Sequence, residues 1–317
     1  MAIATPNTHE VGSGLRCQRA VGSGGSVRHV DHIVSGRIAR GLEPFHAMTY
    51  FAPETEQYLA AAGLKPGRMC YFAGRGAPMG AVSASVVAAT FYNFNPDMVA
   101  RHIPAAWSLA TPSALVDARF AAVDAALRRL LGDELIASPE LAEAAELARR
   151  VAQLCCCEGR PLAAAHLELD WPEQSHLVLW HAISILREHR GDGHLAALLD
   201  ADLNGLQALI THTATGKGFL PSFAKASRGW SDEQWDAEAD VLRERGVLDS
   251  GDEPALTEVG EALRQRIEGE TDRLGGGPWS ALGEDEAVRL GELVRPLVRT
   301  LLKAGCFPSE GVFTPRG

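Results

Sequence analysis

The sequence predicts a mainly α-helical protein, and three observations carry that prediction. Long runs rich in Ala, Leu, Arg and Glu dominate the chain, while clusters of β-branched residues are few. Helix starts recur as a capping residue followed by proline, at Asn95-Pro96, Thr111-Pro112 and Ser138-Pro139. A convincing strand pattern occurs at one place, GVLDSGDEPALT over 246–257, where two apolar pairs flank a turn and predict one small β-hairpin.

In chain order, residues 1–33 are rich in Gly and Ser and lack apolar periodicity, so they read as a disordered tail or an over-extended start. Over 38–51 the apolar residues fall near helical spacing, with a break expected at Pro44. Pro53 suits the first turn of PETEQYLAAAGL, which Gly63 closes. KPGRMCYFAGRGAPMG reads as a loop, and Ala81–Ala89 as a helix of small residues. The helices after Asn95, Thr111 and Ser138 complete a helical region over 34–160.

A second region, 161–317, opens near Pro161. Its apolar helix LVLWHAISIL leads into a polar knot, REHRGDGH, where Gly191 and Gly193 predict a turn before a new helix at Leu195. Then come NGLQALITHTATG, a loop rich in Gly, Ser and Lys, the helix SDEQWDAEADVLRERG, the hairpin, and two closing helices. Apolar spacing in the last, VRLGELVRPLVRTLL, permits a homodimer.

Composition narrows the classes. Hydrophobic content of 46% and charged content of 22% describe an ordinary globular chain, and a net charge of −10 disfavours general nucleic-acid binding. There is no apolar run of about 18 residues, so no membrane span is expected. Six cysteines, three of them consecutive at 155–157, match neither a zinc spacing nor a disulfide framework, which points to the cytoplasm. HExxH, Walker A, GxSxG, paired CxxC and GxGxxG motifs are all missing, so no nucleotide is implied and the cofactor stays unknown. A metal or haem would have to be held by histidines distant in sequence.

The order of a helix, a pair of short helices, a helix ending LRERGVLD, a hairpin ending LT and a helix beginning EVGEALRQRIE resembles the winged helix of MarR-type regulators. Leu242, Arg245, Gly246, Val247, Leu248, Leu256, Thr257, Gly260 and Leu263 carry that resemblance. EPFHAMTYF, YFAGRGAPMG, FYNFNP, LVLWHA and REHRGDGH more closely resemble an actinobacterial family usually labelled helix-turn-helix, over roughly residues 38 to 307. The resemblance implies a winged-helix-like second region and a homodimer.

A winged helix needs Lys or Arg against the phosphates. One choice of recognition helix, Leu203–Thr215, has neither. The other, Ser231–Arg245, sets six acids against Arg243 and Arg245, and the wing DSGDEP adds three more acids. DNA is therefore not the expected partner.

Two clusters carry candidate chemistry. In EPFHAMTY, Glu43, His46 and Tyr50 share a helical face if Pro44 lies in the first turn, which joins a carboxylate, an imidazole and a phenol. The plainer alternative is a buried hydrogen-bonded triad. In the knot, His181, Ser184 and Glu188 share a face, and Asp192 lies between His189 and His194. There the plainer alternative makes Asp192 an N-cap, His189 a helix-end partner and His181 a core imidazole. Tyr71 and Arg75 suit an acidic ligand. The sequence thus points to a small-molecule-binding protein, an enzyme ahead of the alternative, a ligand-responsive regulator. His46 or His189 is the expected base, oriented by Glu43 or Asp192. Tyr50, Tyr71, Arg75, His181, Arg190 and His194 are the expected ligand contacts.

Overall fold

The computed structural model describes residues 30–251, 254–308 and 310–313. Among them lie sixteen helices and no sheet. They are α1 (His32–Ala47), α2 (Pro53–Ala61), α3 (Arg68–Gly76), α4 (Ala84–Phe91), α5 (Pro96–Ala100), α6 (Pro112–Leu131), α7 (Asp133–Ile136) and α8 (Pro139–Gln153). The series continues with α9 (Pro161–Leu167), α10 (Ser175–Asp200), α11 (Gly205–Thr213), α12 (Pro221–Arg228), α13 (Asp232–Glu244), α14 (Glu258–Gly275), α15 (Gly277–Leu282) and α16 (Glu284–Lys303). The tail expected over 1–33 lies outside the described residues except for its last four, and α1 begins within those four.

The capping signals work as expected. Asn95 accepts from the Asp97 amide, Thr111 from Ala114 and Ser138 from Leu141, each satisfying a donor that the first helical turn leaves open. Around these helices three apolar clusters form. One joins α1, α6, α8, α10 and α16; one joins α2–α6 to Leu162 of α9; the third joins the end of α10 to α11–α14. The mostly buried α10 packs against α1, α8, α9 and α14 and so touches both regions.

Several expectations are corrected. The knot is not a turn, because α10 runs unbroken through Gly191 and Gly193. Gly193 serves packing instead, since a Cβ there would stand 2.7 Å from Arg160 Nη1 and 3.2 Å from Leu274. The YFAGRG segment is likewise helix, not loop, and a Cβ on Gly74 would sit 2.7 Å from Leu59. In both places glycine permits close approach within a helix, at a cost of about 1 kcal/mol relative to Ala.

Pro44 lies in the last turn of α1, so Tyr50 falls beyond the helix in a short 3-10 turn. The Gly/Ser/Lys loop contains α12, which starts at Pro221 and ends on Gly229 in the left-handed region (φ 77°). The expected hairpin is reduced to one antiparallel bridge, Leu248–Leu256, so no winged sheet stands among the described residues. The apolar stripe of α16 is buried against α1 and α8, which leaves the expected homodimer without support in this packing.

Candidate ligand-binding cavity

Four elements converge beside the middle of α10. The end of α1 presents Glu43 and His46, the turn after it Tyr50, α3 presents Tyr71 and Arg75, and α12 presents Arg228. Arg187 and Glu188 of α10 stand among them. The space enclosed is a set of adjoining cavities. One of about 380 Å³ and one of about 1310 Å³ share Glu43, Tyr71, Arg187 and Arg228 as walls. The larger is otherwise lined by Phe51, Phe219, Phe223, Phe307 and Phe313, with Arg68 and Lys217 at its edge.

Glu188 is the hub. Its two oxygens accept from Arg75 Nε (3.1 Å) and Nη2 (2.7 Å), and one also accepts from Arg187 Nη1 (2.9 Å). Burial opposes its charge, but the two guanidiniums outweigh burial and hold the carboxyl well below the usual range. Arg187 reaches on to Glu43 (3.0 Å). Arg228 lies over the rings of Phe94 (4.8 Å) and Phe219 (4.9 Å), and no carboxylate among the described residues pairs with it.

Two phenols face this charge, 5.4 Å apart between ring centroids. Burial opposes ionisation of Tyr71, yet Arg75, Arg228 and Arg187 together hold its phenol below the ordinary value. Burial pushes Tyr50 the other way. His46 stands behind Tyr50, and its protonation can be read from its partners. Ser184 donates to the Trp180 carbonyl (2.7 Å), so it accepts from His46 Nδ1–H (2.7 Å). His46 Nε2 then accepts from the Tyr50 hydroxyl (2.9 Å). Burial, then Arg187, keeps this imidazole neutral, well below 6.5.

The structure therefore gathers Glu43, Tyr50, Tyr71 and Arg75, with His46 one hydrogen bond behind. Arg190, Asp192 and His194 line the smaller cavity but are engaged elsewhere. Arg190 pairs with Asp272 (2.7 Å), and His194 Nδ1 contacts Thr271 Oγ1 (2.8 Å). Asp192 accepts from the amides of Leu162 (3.1 Å) and Ala163 (3.0 Å), capping α9 rather than a helix of its own, and burial pushes its carboxyl up to about 6. His189 is buried and lies outside these cavities, held at about 3 by burial and then Arg160. His181 is also outside, between Phe120 and Trp171.

Arg119, Arg187 and Arg228 are functional candidates that sequence reasoning left off the site, while Glu188 was noted as sharing a face with His181 and proves to sit in the cavity without it. For Arg119 a signal existed: it falls on the apolar face of α6 with Leu115, Ala122, Val123 and Ala126.

Beyond the cavity, α11 packs on α12 and α13, and α12 is joined to α13 by the turn Gly229–Ser231. That succession is a helix, a tight turn and a helix. A model of a helix-turn-helix family matches residues 35–308. The chain belongs to that helix-turn-helix family. No curated protein and no solved structure matches it.

Membership in a helix-turn-helix family favours a regulator over an enzyme and reopens DNA as a partner. The charge on α13 pulls the other way. Asp232, Glu233, Asp236, Asp240 and Glu244 are exposed there. Its arginines are occupied: Arg243 bonds Asp240 and the carbonyls of Asp249 and Gly251, and Arg245 bonds the carbonyls of Asp202 and Ala201. On α12, Lys225 pairs with Asp232. No helix among the described residues is long and apolar enough to cross a membrane.

Proposed function

We propose that this helix-turn-helix protein is a ligand-responsive regulator whose effector is a small organic anion. One observation carries the reading: the cationic cavity is walled on one side by α1, α3 and α10 and on the other by Arg228 of α12 and the segment 216–223. An anion drawn to Arg228 and Arg187 pulls directly on the first helix of the helix-turn-helix pair. Occupancy and the position of that pair are then linked by mass action. We place the protein in the cytoplasm, where such an effector and a promoter are both accessible.

The acidic face of α13 favours a second reading, in which the scaffold serves catalysis. Here Tyr71, its phenol acidified by three guanidiniums, would be the acid–base group, with Arg75 and Arg187 holding the substrate's anionic group beside it.

A mobility shift on DNA from upstream of the protein's own coding sequence, run from low to physiological salt, separates the two. The regulator reading expects a salt-dependent complex that Arg228→Met makes insensitive to added anions. Absence of any complex even at low salt would remove it and leave the catalytic reading.

A further inference from the structure

Arg119 is 5% exposed, and no described carboxylate pairs with it. Its Nη1 donates to His166 Nε2 at 3.1 Å. The other nitrogen of that ring, Nδ1, bonds the Leu162 carbonyl at 2.8 Å, so Nδ1 carries the proton and the ring is uncharged. Burial and the neighbouring Arg119 agree with this, holding His166 at about 4. Arg119 Nη2 is buried and has no partner among the described residues. The guanidinium stacks 4.8 Å over the Trp180 ring.

Arg119 lines a third cavity, of about 280 Å³, with Thr49, Tyr50, Tyr71 and Arg75. Glu56, also on its wall, accepts from the Gly67 amide. This cavity shares Tyr50, Phe51 and Tyr71 with the phenylalanine-lined chamber. Glu188, the buried carboxylate closest in function, is already shared by Arg75 and Arg187. A buried cation left in this state strongly destabilises a fold unless something compensates it. At this size the cavity holds an ionic head group rather than a whole ligand.

We propose that Arg119 and Arg75 form a head-group subsite for a carboxylate or phosphate monoester, whose apolar body extends past Tyr50 and Tyr71 into the phenylalanine-lined chamber. The inference rests on the anion-binding reading above and assigns the ligand's chemistry: an amphipathic acid. The Tyr50 proton is committed to His46 and the Thr49 hydroxyl proton to Thr55, whose own proton goes to the Thr49 carbonyl, so the guanidiniums are the donors at the head.

The test uses Arg119→Met in the full chain. Without ligand the variant should melt a few degrees higher than the parent, because an uncompensated charge is gone. Isothermal titration calorimetry then follows binding of 4-phenylbutyrate, 4-phenylbutyl phosphate and the uncharged 4-phenylbutanamide. In the parent, one acidic probe should bind at least tenfold tighter than the amide, and which one does so distinguishes carboxylate from phosphate. R119M should abolish that preference while keeping amide binding, and Arg119→Lys should restore part of it.

A lower melting temperature or loss of folding in R119M would make Arg119 a structural contact and overturn the proposal. Retained acid preference in R119M, lost instead in Arg228→Met, would overturn it while leaving the anion-binding cavity intact. No binding of any probe would overturn both.

Discussion

The interior cavity and the outer face of α13 are opposites in charge. Inside, six arginines, Arg40, Arg75, Arg119, Arg187, Arg190 and Arg228, stand against four carboxylates, Glu43, Glu56, Glu188 and Asp192. Outside, five exposed acids of α13 face solvent, and Arg243 within it and Arg245 just past its end are bound to the chain's own carbonyls. A protein built only to grip DNA would place these charges the other way round, with cations on the exposed helix and an apolar interior. The difference teaches that a net charge of −10 hides a segregated distribution, with acids on the exposed face of α13 and arginines gathered at the cavities.

Four measurements would break or sharpen that contrast. The largest effect is expected from Glu188→Gln, which leaves Arg75 and Arg187 facing each other with Glu43 as their remaining carboxylate. Loss of about 3–5 kcal/mol in a denaturant melt is expected. A near-neutral result would mean that the cavity does not depend on internal pairing.

His181→Leu comes next, because both of its ring nitrogens are buried without a partner among the described residues. A gain of about 1–3 kcal/mol at pH 7 is expected. Burial holds the folded imidazole at about 3 against 6.5 in the unfolded chain. The folded state therefore binds fewer protons, so titration of this histidine costs nothing above pH 6.5 and removes stability as pH drops from there toward 3. H181L should flatten that acid limb. A variant that loses stability at neutral pH would show that the ring has a partner role.

The double reversal Asp236→Lys with Asp240→Lys tests the outer face alone. If α13 approaches a phosphate backbone, DNA affinity should rise and the slope of log K against log salt should steepen by about 0.9 per new contact. Anion binding inside should not change. An unaltered slope would place α13 away from DNA. Smallest of the four, Tyr50→Phe removes the hydroxyl that His46 accepts from, at an expected cost of about 1 kcal/mol. A cost several times larger would make the Tyr50–His46–Ser184 chain a structural centre.

Much of the fold was legible because caps and prolines act locally: Asn95, Thr111 and Ser138 begin helices for reasons contained in three or four residues. Glycine misled in the opposite way. In YFAGRG and in REHRGDGH it was read as punctuation, whereas Gly74 and Gly193 are small because Leu59 and Arg160 lie against them. Contacts of that kind come from tertiary packing and leave no local trace. The cavity was half legible. Glu43, Tyr50, Tyr71 and Arg75 stood out as polar groups among apolar or small residues, and they do converge. Arg228 lies on a helix that was taken for a loop, so its direction could not be foreseen. His189 and His194 looked like chemistry because they flank Asp192 in a polar knot, but the one is buried away from the cavities and the other is bonded to Thr271.

The unbroken course of α10 has a mechanical consequence. Its 26 residues form a rod about 39 Å long, held on its sides by α1, α8, α9 and α14. A rod of that kind does not bend at Gly191 or Gly193, so the helix-turn-helix pair cannot swing on those glycines as on a joint. On the regulator reading proposed above, the response is expected as a movement of α12 on the short segment 214–220 that tethers it, with α10 unchanged. Amide protons of 186–194 should accordingly exchange with solvent only on global unfolding, with or without effector, while those of 214–229 should slow when the cavity fills.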